Sequence, residues 1–160
     1  MEALAESRMV LLVRDPRDVV ASWMDARRKG GWRSADEGSD ASAERVARRA
    51  KKYLRNVGGA KKAYDLHEGP KVLVRYEELR ADTLGTMRRI YTELGIPVSE
   101  TDLRRAVKEH SWENIPEEDK GEGKFYRKAM PGGWREDLTP EQVKTVEKIT
   151  APLLSELYPS

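Results

Sequence analysis

Apolar residues in this chain fall into two short unbroken runs and several longer stripes with helical spacing. Met9-Val-Leu-Leu-Val13 and Lys71-Val-Leu-Val-Arg75 are β-branched runs without polar alternation. That is the pattern of strands buried on two faces in a parallel sheet. After the first run, Asp15-Pro16-Arg17-Asp18 is a helix start. Asp15 can cap, proline suits the first helical position, and Asp18 favours the positive end of the dipole. The helix is expected to reach about Arg28, where Gly30-Gly31 stops it, and residues 29–41 read as a surface loop rich in Gly, Ser and Asp. Val46, Ala50, Tyr53, Leu54, Val57 and Tyr64 form the next stripe, which Gly58-Gly59 should weaken or break.

Asp82 predicts a cap for a helix from Thr83 to Leu94, with Leu84, Met87, Ile90, Tyr91 and Leu94 on one face and Gly95 as its stop. Ser99 caps a further short helix ending near His110, and His67 falls at a helix end. Thr139-Pro140-Glu141-Gln142 is a capping box opening a helix through Val143, Val146 and Ile149, which Pro152 should end or kink. Between Ser111 and Thr139 the chain is polar and rich in Gly and Pro, a long loop of the functional kind. Two strands joined by a helical crossover make one βαβ unit, whereas sheets in stable domains usually have about 4–6 strands. Either further strands are hidden in the sequence or part of the domain lies outside it.

The 160 residues include 30 Lys and Arg against 28 Asp and Glu, a net charge of +2. Their near balance gives no basic face and argues against a nucleic-acid partner. Met9–Val13 is the longest apolar run and is too short to span a bilayer. There is no cysteine and only two histidines, His67 and His110, so the sequence predicts no disulfide and no structural metal. A reducing, cytoplasmic setting fits this composition, as does one 160-residue domain.

Arg14 and Ser22 carry the first chemistry. Arg14 stands at the carboxyl end of the first strand, where open α/β sheets place their ligands. Ser22 lies two turns into the following helix, whose N-terminus favours an anion. Guanidinium and hydroxyl together could clamp a phosphate. From spacing alone, a local ion pair of Arg14 with Asp15 or Asp18 explains the same residues, with Ser22 a helix-surface filler.

Val13-Arg14-Asp15-Pro16-Arg17-Asp18-Val19-Val20-Ala21-Ser22-Trp23 resembles the 3′-phosphate-binding segment of sulfotransferases that use 3′-phosphoadenosine 5′-phosphosulfate (PAPS). In that family an arginine and a serine eight positions later hold the donor's 3′-phosphate, and both fall in register here. Three further stretches follow in the family's order. Lys71 to Leu79, through Tyr76-Glu77, resembles the strand whose terminal tyrosine reaches the adenine. His110-Ser111-Trp112-Glu113-Asn114-Ile115 resembles a Thr-Ser-Phe segment, with Trp112 where an aromatic packs on adenine. Phe125 to Arg135 resembles the closing loop Phe-x-Arg-Lys-Gly-x-x-Gly-Asp-Trp-Lys. Arg127 and Lys128 match its phosphate-binding pair, and Ala129 replaces the glycine whose amide joins them. Gly133 and Arg135 stand in for its Asp and Lys.

The resemblance implies an enzyme that moves a sulfo group from PAPS to a hydroxyl or amine of a small-molecule, lipid or glycan acceptor. The product nucleotide is 3′,5′-ADP, and no metal is required. It implies part of a three-layer α/β/α sandwich of the P-loop type, with a short parallel sheet. Arg14, Ser22, Arg127, Lys128 and Ala129 would take the 3′-phosphate, and Tyr76 and Trp112 the adenine. The family's Gly-rich sulfate cradle and its catalytic base precede the Arg-Ser segment. No such pattern stands in the 13 residues before Arg14, and both histidines lie downstream. The chain is therefore expected to be a truncated sulfotransferase domain with no catalytic residue of its own, complemented by an N-terminal segment. A non-catalytic nucleotide binder and a helical interaction module remain open on the same residues.

Overall fold

A computed structural model describes residues 7–26, 43–121, 124, 126 and 130–158. In chain order it contains β1 (Met9–Val13), α1 (Pro16–Ala26), α2 (Ala43–Leu66), β2 (Lys71–Arg75), α3 (Tyr76–Ala81), α4 (Thr83–Glu93), α5 (Glu100–Glu109), α6 (Trp134–Asp137) and α7 (Pro140–Leu157). Two 3₁₀ turns, Trp112–Asn114 and Glu117–Asp119, fall between α5 and α6. The expected end of α1 near Arg28, the 29–41 loop, and Arg127, Lys128 and Ala129 lie outside the described residues. The chain divides into two compact units, Met1–Arg14 with Val57–Asn114, and Asp15–Asn56 with Ile115–Ser160.

The first unit holds the sheet. β1 and β2 pair in parallel, in a register running from Met9 opposite Lys71 to Val13 opposite Arg75. Met9 N–H donates to the Pro70 carbonyl at 3.0 Å. In a parallel ladder this register turns the carbonyls of Pro70, Val72 and Val74 toward β1 and that of Leu73 away from it. Arg89 of α4 donates to the outward Leu73 carbonyl at 3.3 Å and is tied to Glu78 and Glu93. Val72 and Val74 are buried with Leu94 against Leu79, Ile90 and Ile96, so α3, α4 and the chain just beyond cover this face of β2. Registered partners on parallel strands point to the same face. Val10 and Leu12, opposite Val72 and Val74, are nevertheless 47% and 53% exposed. β1 is thus buried through Leu11 and Val13 but not on both faces as its apolar run suggested, because the helix cover on the other face stops at β2.

Sequence signals for α4, α5 and α7 match their caps. The Asp82 carboxylate accepts from Gly85 N–H, Ser99 Oγ from Asp102 N–H, and Thr139 forms a reciprocal capping box with Gln142. α2 runs unbroken through Gly58 and Gly59, contrary to the expected weakening, because its other residues hold the ladder across one pair. Pro152 does not end α7, which continues to Leu157. Buried Thr150, whose hydroxyl donates to the Val146 carbonyl at 2.8 Å, and buried Leu153 and Leu157 hold the helix on both sides of the proline.

In the second unit, Asp15 caps α1 as expected, accepting from Arg17 N–H at 2.8 Å. Arg17 closes back on the Asp15 carboxylate and reaches Glu147 of α7 at 2.8 Å. The Asp15 hydrogen bond leads the causes that raise the Arg17 pKa above its ordinary value. Val20, Val46, Ala50 and Val146 form the fully buried centre, with Met24 and Ile149 against it. α1 therefore packs by its Val20 side on α7 and the start of α2, which fixes the helix that follows Arg14.

Candidate functional site

β1 ends at Val13 and β2 at Arg75, and these two residues are register partners. The next residue on each strand is a candidate from the sequence, Arg14 and Tyr76. They meet: the Arg14 guanidinium carbon lies 4.6 Å from the centroid of the Tyr76 ring. Both side chains are half-buried. Two adjacent parallel strands thus present a cation over an aromatic ring at their carboxyl ends, the position at which such sheets receive ligands. Planarity matters here, because a guanidinium can stack on the ring and still aim N–H donors past its edge.

Tyr76 opens α3, and Leu79 and Arg80 lie one turn on. With Thr83, Val107, His110 and Ser111 they line a concavity of about 360 Å³ that Trp112 and Glu113 complete. Trp112 begins a 3₁₀ turn that the Asn114 side chain ties to the end of α5 by donating to the Lys108 carbonyl. One short helix therefore links the Arg14–Tyr76 pair at its start to the Trp112 concavity, a rise of roughly 5 Å. The apolar pattern does not predict α3, which follows directly on the strand Lys71–Arg75. Its signal is Glu77-Glu78 in a first turn, favourable to the helix dipole but weak evidence alone.

Ser22 is half-buried on α1, two turns from Pro16. His110, exposed, is the C-cap of α5. His67 is buried just past α2, with Nε2 2.9 Å from the Ser7 carbonyl. Asp18 has a role that sequence reading missed. Beyond standing in the first turn of α1, its carboxylate accepts from Gly132 N–H at 2.7 Å and Trp134 N–H at 3.0 Å. Among the described residues no cluster of three or more His, Asp or Glu could hold a metal, and no helix is long and apolar enough to cross a membrane.

Parallel strands carrying polar groups at their carboxyl ends form the kind of edge at which open α/β sheets receive ligands. The sulfotransferase domain matches residues 3–158, and the chain belongs to that family. A curated relative, Cytosolic sulfotransferase 17 of Arabidopsis thaliana, is 27% identical over 164 residues, covering 88% of this chain and 47% of that protein. The solved structure of retinol dehydratase in complex with androsterone and the inactive cofactor PAP superposes with a TM-score of 0.67 at 24% identity, over 93% of this chain and 48% of that one. Mouse sulfotransferase SULT7A1 complexed with PAP gives a TM-score of 0.70 at 16% identity, over 97% and 59%. The fold is that of the sulfotransferases, and the chain spans about half the length of the curated relative it matches.

Proposed function

We propose that the chain binds the 3′-phosphoadenosine part of PAPS, and of the product 3′,5′-ADP, for sulfo transfer to a hydroxyl or amine acceptor. The convergence of Arg14 and Tyr76 at the ends of paired strands carries this reading. The family resemblance gives the first to the phosphate and the second to the base of one nucleotide. Arg14 would meet the 3′-phosphate with charge-assisted N–H donors, joined by the Ser22 hydroxyl, Arg127, Lys128 and the Ala129 amide. Tyr76 would face the adenine edge, and the Trp112 indole would offer a stacking face for the base. PAPS, when bound, supplies the activated sulfo group. The residues of this chain fix the nucleotide that becomes the leaving group, a contribution of positioning and charge neutralisation. PAP in the retinol dehydratase and mouse sulfotransferase complexes is 3′,5′-ADP, which fits the same assignment.

A calorimetric titration tests it. The chain should bind 3′,5′-ADP at least about tenfold more tightly than 5′-AMP, the value of roughly one charge-assisted hydrogen bond. Equal affinity for the two nucleotides refutes the 3′-phosphate assignment.

A further inference from the structure

Trp112 enters the cleft from a 3₁₀ turn of three residues, Trp112–Asn114. Hydrogen bonds in such a turn are poorer than in an α-helix, so its pose depends on what ties it down. Here the ties run to the end of α5. Ser111 N–H donates to the Lys108 carbonyl at 3.3 Å, and Asn114 N–H to the Ser111 carbonyl at 3.1 Å. The Asn114 side chain closes the loop: its amide donates to the Lys108 carbonyl at 2.5 Å and to that of Glu109 at 3.5 Å. Lys108 and Glu109 are the last two residues of α5, and their carbonyls find no partner within the helix. Asn114 is itself exposed, so these bonds rather than burial order its side chain. α5 is a firm support, capped by Ser99 and anchored by buried Leu103. The other wall of the cleft is firm too. The Thr83 hydroxyl donates to the Leu79 carbonyl at 2.8 Å, and Leu79 packs against the core formed by Val72, Val74 and Leu94. All of these residues belong to one compact unit.

We propose that Asn114 is a positioning residue for the adenine ring. It does not touch the nucleotide. It carries the fixed position of α5 to the turn and so holds Trp112 at the cleft that it lines with Leu79 and Val107. Stacking is sensitive to such placement, since a gap of about 0.5–1 Å forfeits a quarter to a half of the dispersion attraction between facing atoms. This inference rests on the nucleotide-binding reading above, in which Trp112 takes the base.

A calorimetric titration compares 3′,5′-ADP with ribose 3′,5′-bisphosphate, which keeps both phosphates and lacks the base. The proteins are the wild-type chain, Asn114→Ala, Asn114→Asp, Trp112→Ala and the double alanine variant. Asn114→Ala is expected to weaken 3′,5′-ADP about threefold to tenfold while changing the bisphosphate less than about twofold. Asn114→Asp keeps the size of the side chain but has no N–H to donate, and it should match Asn114→Ala. In the Trp112→Ala background, Asn114→Ala should cost less than about twofold, because the two act through one contact. A residue that merely stabilises α5 would weaken both ligands alike, and would do so with or without Trp112. Either result overturns the positioning role, as does wild-type affinity in Asn114→Ala or Asn114→Asp. Equal binding of the two ligands by the wild-type chain, or binding of neither, refutes the adenine assignment itself.

Discussion

Replacing Arg14 separates a phosphate anchor from a structural arginine. Its guanidinium is half-buried and stacked 4.6 Å from the Tyr76 ring, so a bound phosphate would be met by a partly desolvated charge. Removing one side of such a pair costs ~2–5 kcal/mol, a loss of roughly thirtyfold to several thousandfold in affinity for 3′,5′-ADP. Arg14→Lys keeps the charge but loses the planar stack and the fork. It should fall between, about tenfold weaker than wild type. Tyr76→Phe preserves the ring under the guanidinium and should cost little, whereas Tyr76→Leu removes a contact worth ~0.5–2 kcal/mol. Ser22→Ala removes one neutral donor, about 1 kcal/mol. Isothermal titration of all five variants with 3′,5′-ADP, and with 5′-AMP as reference, gives the ranking. The reasoning fails if Ser22→Ala weakens binding as much as Arg14→Ala, or if Arg14→Ala weakens 5′-AMP to the same extent.

Gly58→Ala and Gly59→Ala should each stabilise the chain by ~0.5–1 kcal/mol in urea unfolding, since nothing lies within 4 Å of an added Cβ on α2. Gly85→Ala should instead leave stability nearly unchanged, because its Cβ would displace the Asp82 carboxylate that caps α4, and the lost cap, about 1 kcal/mol, offsets the helix gain. Val146→Ala, in the fully buried centre of the second unit, should lower stability by about 2 kcal/mol through lost burial and a cavity. Glu100 is held below its ordinary value of 4.5, first by the Arg88 hydrogen bond and then by the charges of Arg88 and Arg104. A depressed carboxylate stabilises above its unfolded pKa, and the gain fades as pH falls through the folded one. Arg88→Ala should therefore move the Glu100 titration, followed by carboxyl-carbon NMR, back up toward 4.5.

The elements legible in the sequence are those whose signals are local. β1 and β2 are unbroken β-branched runs, and α4, α5 and α7 each open on a side chain that caps its own backbone. Position at a strand end named Arg14 and the family resemblance named Tyr76, but only pairing in register brings the two strand ends together. What escaped depends on partners distant in sequence. Asp18 looked complete as a helix-dipole residue, and nothing near it announces Gly132 or Trp134. The exposure of Val10 and Leu12 reflects how far α3 and α4 extend across the sheet, which the apolar run itself cannot encode. Pro152 and Gly58-Gly59 misled for a related reason: propensity is worth about 1–3 kcal/mol at one position, and the packing of a long helix outweighs it.

Arg89 gives the small sheet a direction of growth. A β-strand recruits another strand through unspent carbonyls and amides along its margin. On β2 the outward carbonyl of Leu73 is already occupied by the Arg89 guanidinium, which Glu78 and Glu93 hold in place. A cation parked on a strand margin also repels any second strand that would have to displace it. On β1 the register leaves the backbone of Val10 and Leu12 facing outward, beside two of the most exposed large apolar side chains among the described residues. Among the described residues the β2 margin is therefore the one partly closed to a further strand, and the β1 margin the one better placed to receive it.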